Sequence, residues 1–69
     1  MPTLHVNGER REIPDGLSVR ALLDYVGRDP DQTGVAVALG ERVVRRSEWD
    51  ETAVHDGDSV EIVTAAQGG

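Results

Sequence analysis

Residues 3–27, TLHVNGERREIPDGLSVRALLDYVG, contain the two patterns that decide the fold. Leu4 and Val6 alternate with polar residues up to the Asn-Gly pair at 7–8. Asn-Gly between two short segments of this kind is the strongest local signal for a two-residue β-hairpin turn. The return strand stops at residues 14–16, a Pro-Asp-Gly cluster typical of a turn. A β-hairpin is therefore predicted at the start of the chain.

The register of this hairpin depends on the length of its turn. A two-residue turn places Ile13 on the same face as Leu4 and Val6, but it places Glu9 and Arg11 there as well. Either the stems of these two side chains cover the edge of the sheet, or the turn is longer than two residues.

Residues 17–27 form the one strong helix pattern. Ser18 suits the N-cap, and Gly27 suits the position after the C-cap. Leu17 and Leu22 have the spacing of a hydrophobic staple. The apolar residues recur at three- and four-residue intervals and are Val19, Leu22, Leu23 and Val26. One face of this helix is therefore expected to pack on a sheet.

The second half of the chain predicts two or three more strands. In VAVAL, residues 35–39, the small Ala36 and Ala38 face away from the larger residues. Gly40 precedes Glu41, the order that a type II′ turn requires, and valines follow at 43–44. Ser47 is predicted to cap a short turn, and the last strand spans residues 60–64.

A hairpin, a helix and then further strands are the expected layout of the ubiquitin-like β-grasp. This is an α+β fold in which one helix packs on one face of a mixed sheet of four to five strands, with the last strand parallel to the first. We predict such a domain over residues 1–64, followed by a flexible C-terminal Gly-Gly tail over residues 65–69. The face without a helix is predicted to meet a partner. Its candidate contact residues are Val63, Glu61, Ala36, Ala38 and Trp49.

Trp49 has two interpretations. As the only tryptophan in a chain without phenylalanine, it is expected to anchor the edge of the core. Its inclusion in the partner surface is the alternative.

Composition excludes several classes of function. A chain of 69 residues buries only about 60% of its unfolded surface, which leaves little interior for a substrate cavity. We therefore do not expect a self-contained enzyme. The net charge of −6 argues against nucleic acid and anionic membranes as partners. There is no cysteine, no metal-ligand spacing and no long apolar segment, so no bound metal or cofactor and a cytoplasmic location are expected.

The sequence ends with AAQGG, which supplies an unhindered carboxylate at Gly69. Five extended residues reach about 16 Å, enough to enter a deep active site of another protein. Gly68 and Gly69 lack Cβ atoms and fit a narrow channel, while Ala65, Ala66 and Gln67 complete the segment. Condensation with ATP would convert the carboxylate into an acyl-adenylate, which a sulfur or amine nucleophile displaces. An inert tail is the opposing interpretation.

Six stretches of the sequence are informative in their order and spacing: VNGERREIPDGLSV (6–19), ALLDYVG (21–27), GVAVAL (34–39), RSEW (46–49), DGDSVEIVTA (56–65) and QGG (67–69). Together they resemble the ThiS family of sulfur carrier proteins of bacterial thiamine biosynthesis. The resemblance implies a β-grasp fold and a carrier that is modified at Gly69.

The resemblance also implies a set of partners. An E1-like adenylating enzyme (ThiF-type) uses ATP to activate Gly69, and a cysteine desulfurase or other sulfur donor supplies the sulfur. The resulting thiocarboxylate delivers sulfur to thiazole synthase (ThiG-type). Three alternatives remain: a sulfur carrier for molybdopterin or cysteine synthesis, a ubiquitin-like protein modifier, and an interaction domain with an inert tail.

Overall fold

The computed structural model describes residues 1–64. Its elements in chain order are β1 (Thr3–Val6), β2 (Glu9–Glu12), α1 (Val19–Tyr25), β3 (Val35–Leu39), β4 (Arg42–Val44), the 3₁₀ turn η1 (Arg46–Glu48) and β5 (Ser59–Thr64). The strands form one sheet in the order β2-β1-β5-β3-β4. β5 is parallel to β1 and antiparallel to β3. The predicted mixed sheet with a single helix is confirmed for this part of the chain. The predicted flexibility of residues 65–69 lies outside the described residues.

The first hairpin has the two-residue turn. Asn7 and Gly8 both have positive φ angles, 52° and 84°, as a type I′ turn requires. Val6 pairs with Glu9 across the turn, and β1 and β2 then stay in that register. The charged side chain of Glu9 therefore lies on the same face as Val6, as was expected for a two-residue turn. It remains exposed because β2 is the edge strand of the sheet.

Helix α1 is closed by local hydrogen bonds at both ends. The Ser18 hydroxyl oxygen accepts a hydrogen bond from the Ala21 amide at 3.1 Å, which confirms the predicted N-cap. At the other end, Gly27 adopts a φ of 86°. The amides of Gly27 and Arg28 donate to carbonyls of the last turn at 3.1 and 2.8 Å, which is the Schellman pattern. The sequence around the helix is therefore sufficient to set both of its ends.

The core lies between α1 and one face of the sheet. Its buried side chains are Leu4, Val6, Ile13, Val19, Leu22, Leu23, Val37, Val44, Trp49, Val54, Val60 and Ile62. Among the described residues, no polar or charged residue is buried. Valine, leucine and isoleucine thus build almost the whole interior of the described residues.

Trp49 is a core residue. Its side chain is 1% exposed, and its indole Nε1 donates a hydrogen bond to the carbonyl oxygen of Val44 at 3.0 Å. The guanidinium of Arg46 lies over the ring, 4.5 Å from its centre. The prediction that Trp49 anchors the core is confirmed, and its inclusion in the partner surface is wrong. The reason is that the chain after β4 turns back over the core face of the sheet, so the indole packs among the core side chains.

The predicted capping role of Ser47 is also wrong. Residue Arg45 precedes η1 in extended conformation, and no side chain caps this turn. Ser47 lies inside the turn and is exposed. Arg46 instead ties the turn to the loop after α1 by donating hydrogen bonds to the carbonyl oxygens of Pro30 and Gln32.

The two serines give a matched test of helix capping. We expect Ser18→Ala to lower the free energy of unfolding by about 1 kcal/mol, because it removes the acceptor for the Ala21 amide. In a domain of this size that loss lowers Tm by roughly 4–8 °C. Ser47→Ala is expected to leave Tm unchanged within error. Thermal unfolding followed by circular dichroism measures both, and equal effects of the two changes would contradict the assignment.

The indole hydrogen bond gives a second test. We expect Trp49→Phe to cost about 1–3 kcal/mol, because it leaves the buried carbonyl oxygen of Val44 without its donor. Tyr25→Phe is the control, since Tyr25 is 52% exposed and its hydroxyl can bond to water. Urea denaturation of the two variants measures the difference, and a Trp49→Phe midpoint equal to that of Tyr25→Phe would contradict the role of the bond.

Candidate functional site

The residues predicted to be modified or threaded into partners are Ala65, Ala66, Gln67, Gly68 and Gly69, and they lie outside the described residues. The structure describes the strand that leads to them. β5 pairs with β3 over its length from Val60, opposite Leu39, to Thr64, opposite Val35. Its pairing with β1 ends at Val60, opposite Val6.

Two side chains contact β5 near its C-terminal end. The Asn7 side-chain amide makes two hydrogen bonds to the main chain of Ile62, at 2.7 Å from the Ile62 amide to Oδ1 and at 3.2 Å from Nδ2 to the Ile62 carbonyl oxygen. The guanidinium of Arg28 donates a longer hydrogen bond, 3.4 Å, to the hydroxyl oxygen of Thr64. The hairpin turn and the end of the helix thus both reach the last residues of β5.

The face of the sheet opposite the helix carries an apolar patch. We define the apolar patch as Ala36, Ala38, Val43 and Val63. Together with Glu61, these residues border a shallow depression of about 190 Å³. Val43 and Val63 are 68% and 58% exposed, which is unusual for valines in a sheet. Four of the five predicted surface residues therefore lie together, and the fifth, Trp49, is on the opposite side of the sheet.

Val43 is a member of the patch that the sequence interpretation missed. The signal was present, because a two-residue turn at 40–41 pairs Ala38 with Val43 and puts both on one face. Gly40 has a φ of 63°, as expected for the first position of the predicted type II′ turn. Extending that register to β4 would have included Val43 among the predicted partner-surface residues.

The other half of the same face is polar. Over β1 and β2, Thr3 pairs with Glu12 and His5 pairs with Arg10. The apolar patch is therefore confined to β3, β4 and the end of β5, close to the point where the chain continues towards Gly69.

Charged groups in the described part of the chain are solvated or paired at the surface. Arg20 forms ion pairs with Asp31 at 2.8 Å and Asp50 at 3.7 Å. The hydrogen bond that Arg20 donates to the Asp31 carboxylate, and then the negative charge of that carboxylate, raise the pKa of the Arg20 guanidinium above its ordinary value. In residues 1–64, no group of three or more histidine or acidic side chains is placed to hold a metal ion.

The Asp-Gly-Asp segment at 56–58 forms a turn before β5. The Asp58 carboxylate accepts a hydrogen bond from the His55 amide at 2.7 Å, and the Asp56 carboxylate accepts one from the Thr3 amide at 2.7 Å. The Asp56 carboxylate thus joins this turn to β1, while the Asp58 carboxylate closes the turn itself. Within the described residues, no helix has the length and apolar character needed to cross a membrane.

Two solved structures share this architecture. The crystal structure of the thiamine biosynthesis protein ThiS from Geobacter metallireducens superposes with a TM-score of 0.79 at 34% identity, covering 97% of this chain and 99% of the other. The solution structure of a thiamine biosynthesis protein from the same organism gives 0.77 at 33% identity, covering 97% and 87%. These neighbours have the ubiquitin-like β-grasp fold, as was predicted for this chain.

Two curated proteins are similar in sequence. The chain is 30% identical over 63 residues to the sulfur carrier protein ThiS of Escherichia coli strain K12, covering 91% of this chain and 92% of that protein. It is 39% identical over 66 residues to a thiazole synthase of Paramagnetospirillum magneticum. That match covers 96% of this chain but only 20% of the synthase, so the chain spans about a fifth of that relative's length.

The match to a protein family extends to the end of the chain. The sequence model of the ThiS family matches residues 4–69, which include the whole described sheet and the final diglycine. Fold, sequence and extent of the match agree, and the chain belongs to the ThiS family.

Proposed function

We propose that this chain is a sulfur carrier of thiamine biosynthesis and that Gly69 is the group that carries the sulfur. The observation that carries the proposal is the family match over residues 4–69, because it reaches the terminal glycine as well as the folded domain. The chain acts as a co-substrate: it presents a reactive end to enzymes and does not itself catalyse the reaction.

The chemistry starts from a carboxylate, which is a poor electrophile. An E1-like adenylating enzyme joins the Gly69 carboxylate to the α-phosphorus of ATP, and pyrophosphate leaves. A sulfur nucleophile then attacks the carbonyl carbon of the acyl-adenylate and AMP leaves. Hydrosulfide from a sulfur donor gives the thiocarboxylate directly, whereas a persulfide supplied by a cysteine desulfurase gives an acyl disulfide, which a second thiol cleaves to the thiocarboxylate and a disulfide. The product is a thiocarboxylate on Gly69. ATP is a substrate of the activating enzyme and is not a cofactor of this chain.

The domain supports this chemistry because its last strand leads to the reacting end of the chain. β5 ends at Thr64, and the five residues from Ala65 to Gly69 have a maximum reach of about 16 Å. Such a length takes the carboxylate into the active site of a partner while the sheet remains outside. The diglycine has no side chains to obstruct a narrow channel or an attacking nucleophile.

The apolar patch is the proposed docking surface for the activating enzyme. It offers exposed valines beside the strand that leads to Gly69, and an exposed apolar cluster of this kind is typical of a site for protein association. Glu61 borders the patch, and the net charge of the chain is −6. A basic rim on the partner would complement this charge and speed the encounter.

Thiazole synthase is the proposed recipient of the sulfur. A thiazole synthase of P. magneticum contains within one polypeptide a segment similar to 96% of this chain. Joining two proteins in one polypeptide gives each a high effective concentration near the other, which is useful when they react together. This relative therefore supports thiazole synthase as the protein that accepts sulfur from Gly69.

The carrier role predicts a defined change in mass. When the chain is incubated with the E1-like enzyme, ATP and a sulfur donor, we expect its intact mass to rise by the difference between sulfur and oxygen. Deleting Gly69, or adding one residue after it, is expected to abolish this change without altering Tm. A large loss of Tm in either variant would show instead that the terminus is structural.

The same experiment separates the alternatives. A series of higher-mass conjugates would favour a protein modifier, and an unchanged mass with every candidate activating enzyme would contradict the carrier role. Rescue of growth of a thiamine-requiring strain that lacks its own carrier would assign the loaded protein to thiamine synthesis.

The docking surface predicts a loss of affinity for the activating enzyme. We expect Val63→Lys to raise the KM for the carrier in the adenylation reaction roughly tenfold, equivalent to about 1.4 kcal/mol, because a charged side chain replaces an exposed apolar side chain of the patch. Ser59→Lys is the matched control, since Ser59 is exposed on the same strand and the same face but outside the patch. Equal KM values for the two variants would contradict docking through the apolar patch.

A further inference from the structure

β5 loses one of its two neighbouring strands before it ends. β1 supplies hydrogen bonds as far as the Asn7 amide, which donates to the Val60 carbonyl oxygen at 2.8 Å. The chain then enters the hairpin turn at 7–8 and moves away. A continued parallel strand would have offered β5 two more main-chain groups, a carbonyl for the amide of Ile62 and an amide for its carbonyl.

The side chain of Asn7 supplies both of these groups. Its Oδ1 accepts the hydrogen bond from the Ile62 amide at 2.7 Å, and its Nδ2 donates to the Ile62 carbonyl oxygen at 3.2 Å. A carboxamide has the same donor and acceptor chemistry as a peptide group, so it extends the parallel ladder by one step without any strand. The main-chain groups of Ile62 are thereby satisfied on the side from which β1 has departed.

This use of Asn7 goes beyond the needs of the turn. A type I′ turn requires a positive φ at this position, and glycine or aspartate would also meet that requirement. Glycine has no side chain to bond to Ile62, and an aspartate carboxylate has no donor for the Ile62 carbonyl oxygen. Among these turn-forming residues, asparagine alone provides both the turn and the paired hydrogen bonds.

We propose that Asn7 is a positioning residue: its amide stands in for a missing strand beside Ile62 and fixes the direction in which the chain leaves the sheet towards Gly69. Its effect on sulfur loading rests on the function proposed above. The contact lies two residues before Thr64, so a shift of the strand here is passed on to the point where residues 65–69 begin. Arg28, through its hydrogen bond to Thr64, supports the same end of the strand from the side of the helix.

A fixed exit direction matters for a group that must react inside another protein. The body docks through its own surface, and the terminal carboxylate has to arrive at the adenylation site from there. Misplacement of a reacting group by about 1 Å can reduce a rate by a factor of about a hundred. Loss of the Asn7 contact is therefore expected to lower the rate within the complex, and not the affinity of the complex.

The test compares Asn7→Gly and Asn7→Asp with the wild-type chain and with Ser18→Ala. Both changes at Asn7 allow the positive φ of the turn and remove one or both hydrogen bonds to Ile62. Ser18→Ala weakens the fold at the distant start of the helix and controls for loss of stability. The readouts are hydrogen exchange of the Ile62 amide and the kcat and KM of sulfur loading with the E1-like enzyme.

We expect the exchange of the Ile62 amide to accelerate at least tenfold in Asn7→Gly. In Asn7→Asp, which keeps the acceptor, we expect a smaller increase. In both variants kcat should fall about tenfold with KM within twofold of the wild type, whereas Ser18→Ala should keep the wild-type kcat.

Two results would overturn the proposal: unchanged protection of Ile62 in Asn7→Gly, or an equal fall of kcat in Ser18→Ala. Failure of the wild-type chain to load sulfur would count against the carrier function. The hydrogen exchange of the Ile62 amide would still test whether the Asn7 side chain bonds to Ile62.

Discussion

The parallel pairing of β5 with β1 is the interaction on which the rest of the structure depends. It joins the two ends of the described chain, through the hydrogen bonds from His5 to Asp58 at 3.0 Å and from Asn7 to Val60 at 2.8 Å. Because β5 also pairs with β3, the last strand lies at the centre of the sheet and links the first hairpin to the second. Where this pairing begins, the Asp56 and Asp58 carboxylates accept hydrogen bonds from main-chain amides. Where it ends, the side-chain amide of Asn7 bonds to Ile62. The sheet cannot form completely until the last strand has paired, so the contacts that define the fold join residues far apart in the sequence.

The small core explains why so many polar contacts secure the main chain. Twelve buried side chains form the interior of the described residues, and only Trp49 among them is aromatic. A domain of this size has little stability to spare, so caps and turns that each contribute about 1 kcal/mol matter. The Ser18 cap, the Schellman pattern at Gly27 and the indole hydrogen bond are contributions of this kind. None of them lies in the apolar patch.

Local chemistry made much of this fold predictable from the sequence. The Asn-Gly turn, the Ser18 cap and Gly27 act on residues that are close in the chain, so their patterns are complete within a few positions. The capping role of Ser47 and the inclusion of Trp49 in the partner surface show where this reasoning fails. Whether a serine caps a turn, or a tryptophan faces the core, depends here on how the segment after β4 packs against α1, which no local pattern contains. The Asn7 contact with Ile62 spans 55 positions and was likewise invisible, although the turn in which Asn7 lies was not.

The outer strand β2 has a consequence for the behaviour of the protein in concentrated solution. Its four residues, Glu9–Glu12, are all charged and all exposed. An edge strand has unpaired main-chain groups to which another extended chain can bond, and in many proteins such pairing starts the growth of insoluble fibrils. A second molecule that added its backbone to this edge would have to remove water from two acidic and two basic side chains. The charged side chains of β2 thus protect this edge of the sheet against pairing with other copies of the protein, although the face of the sheet opposite the helix exposes valines.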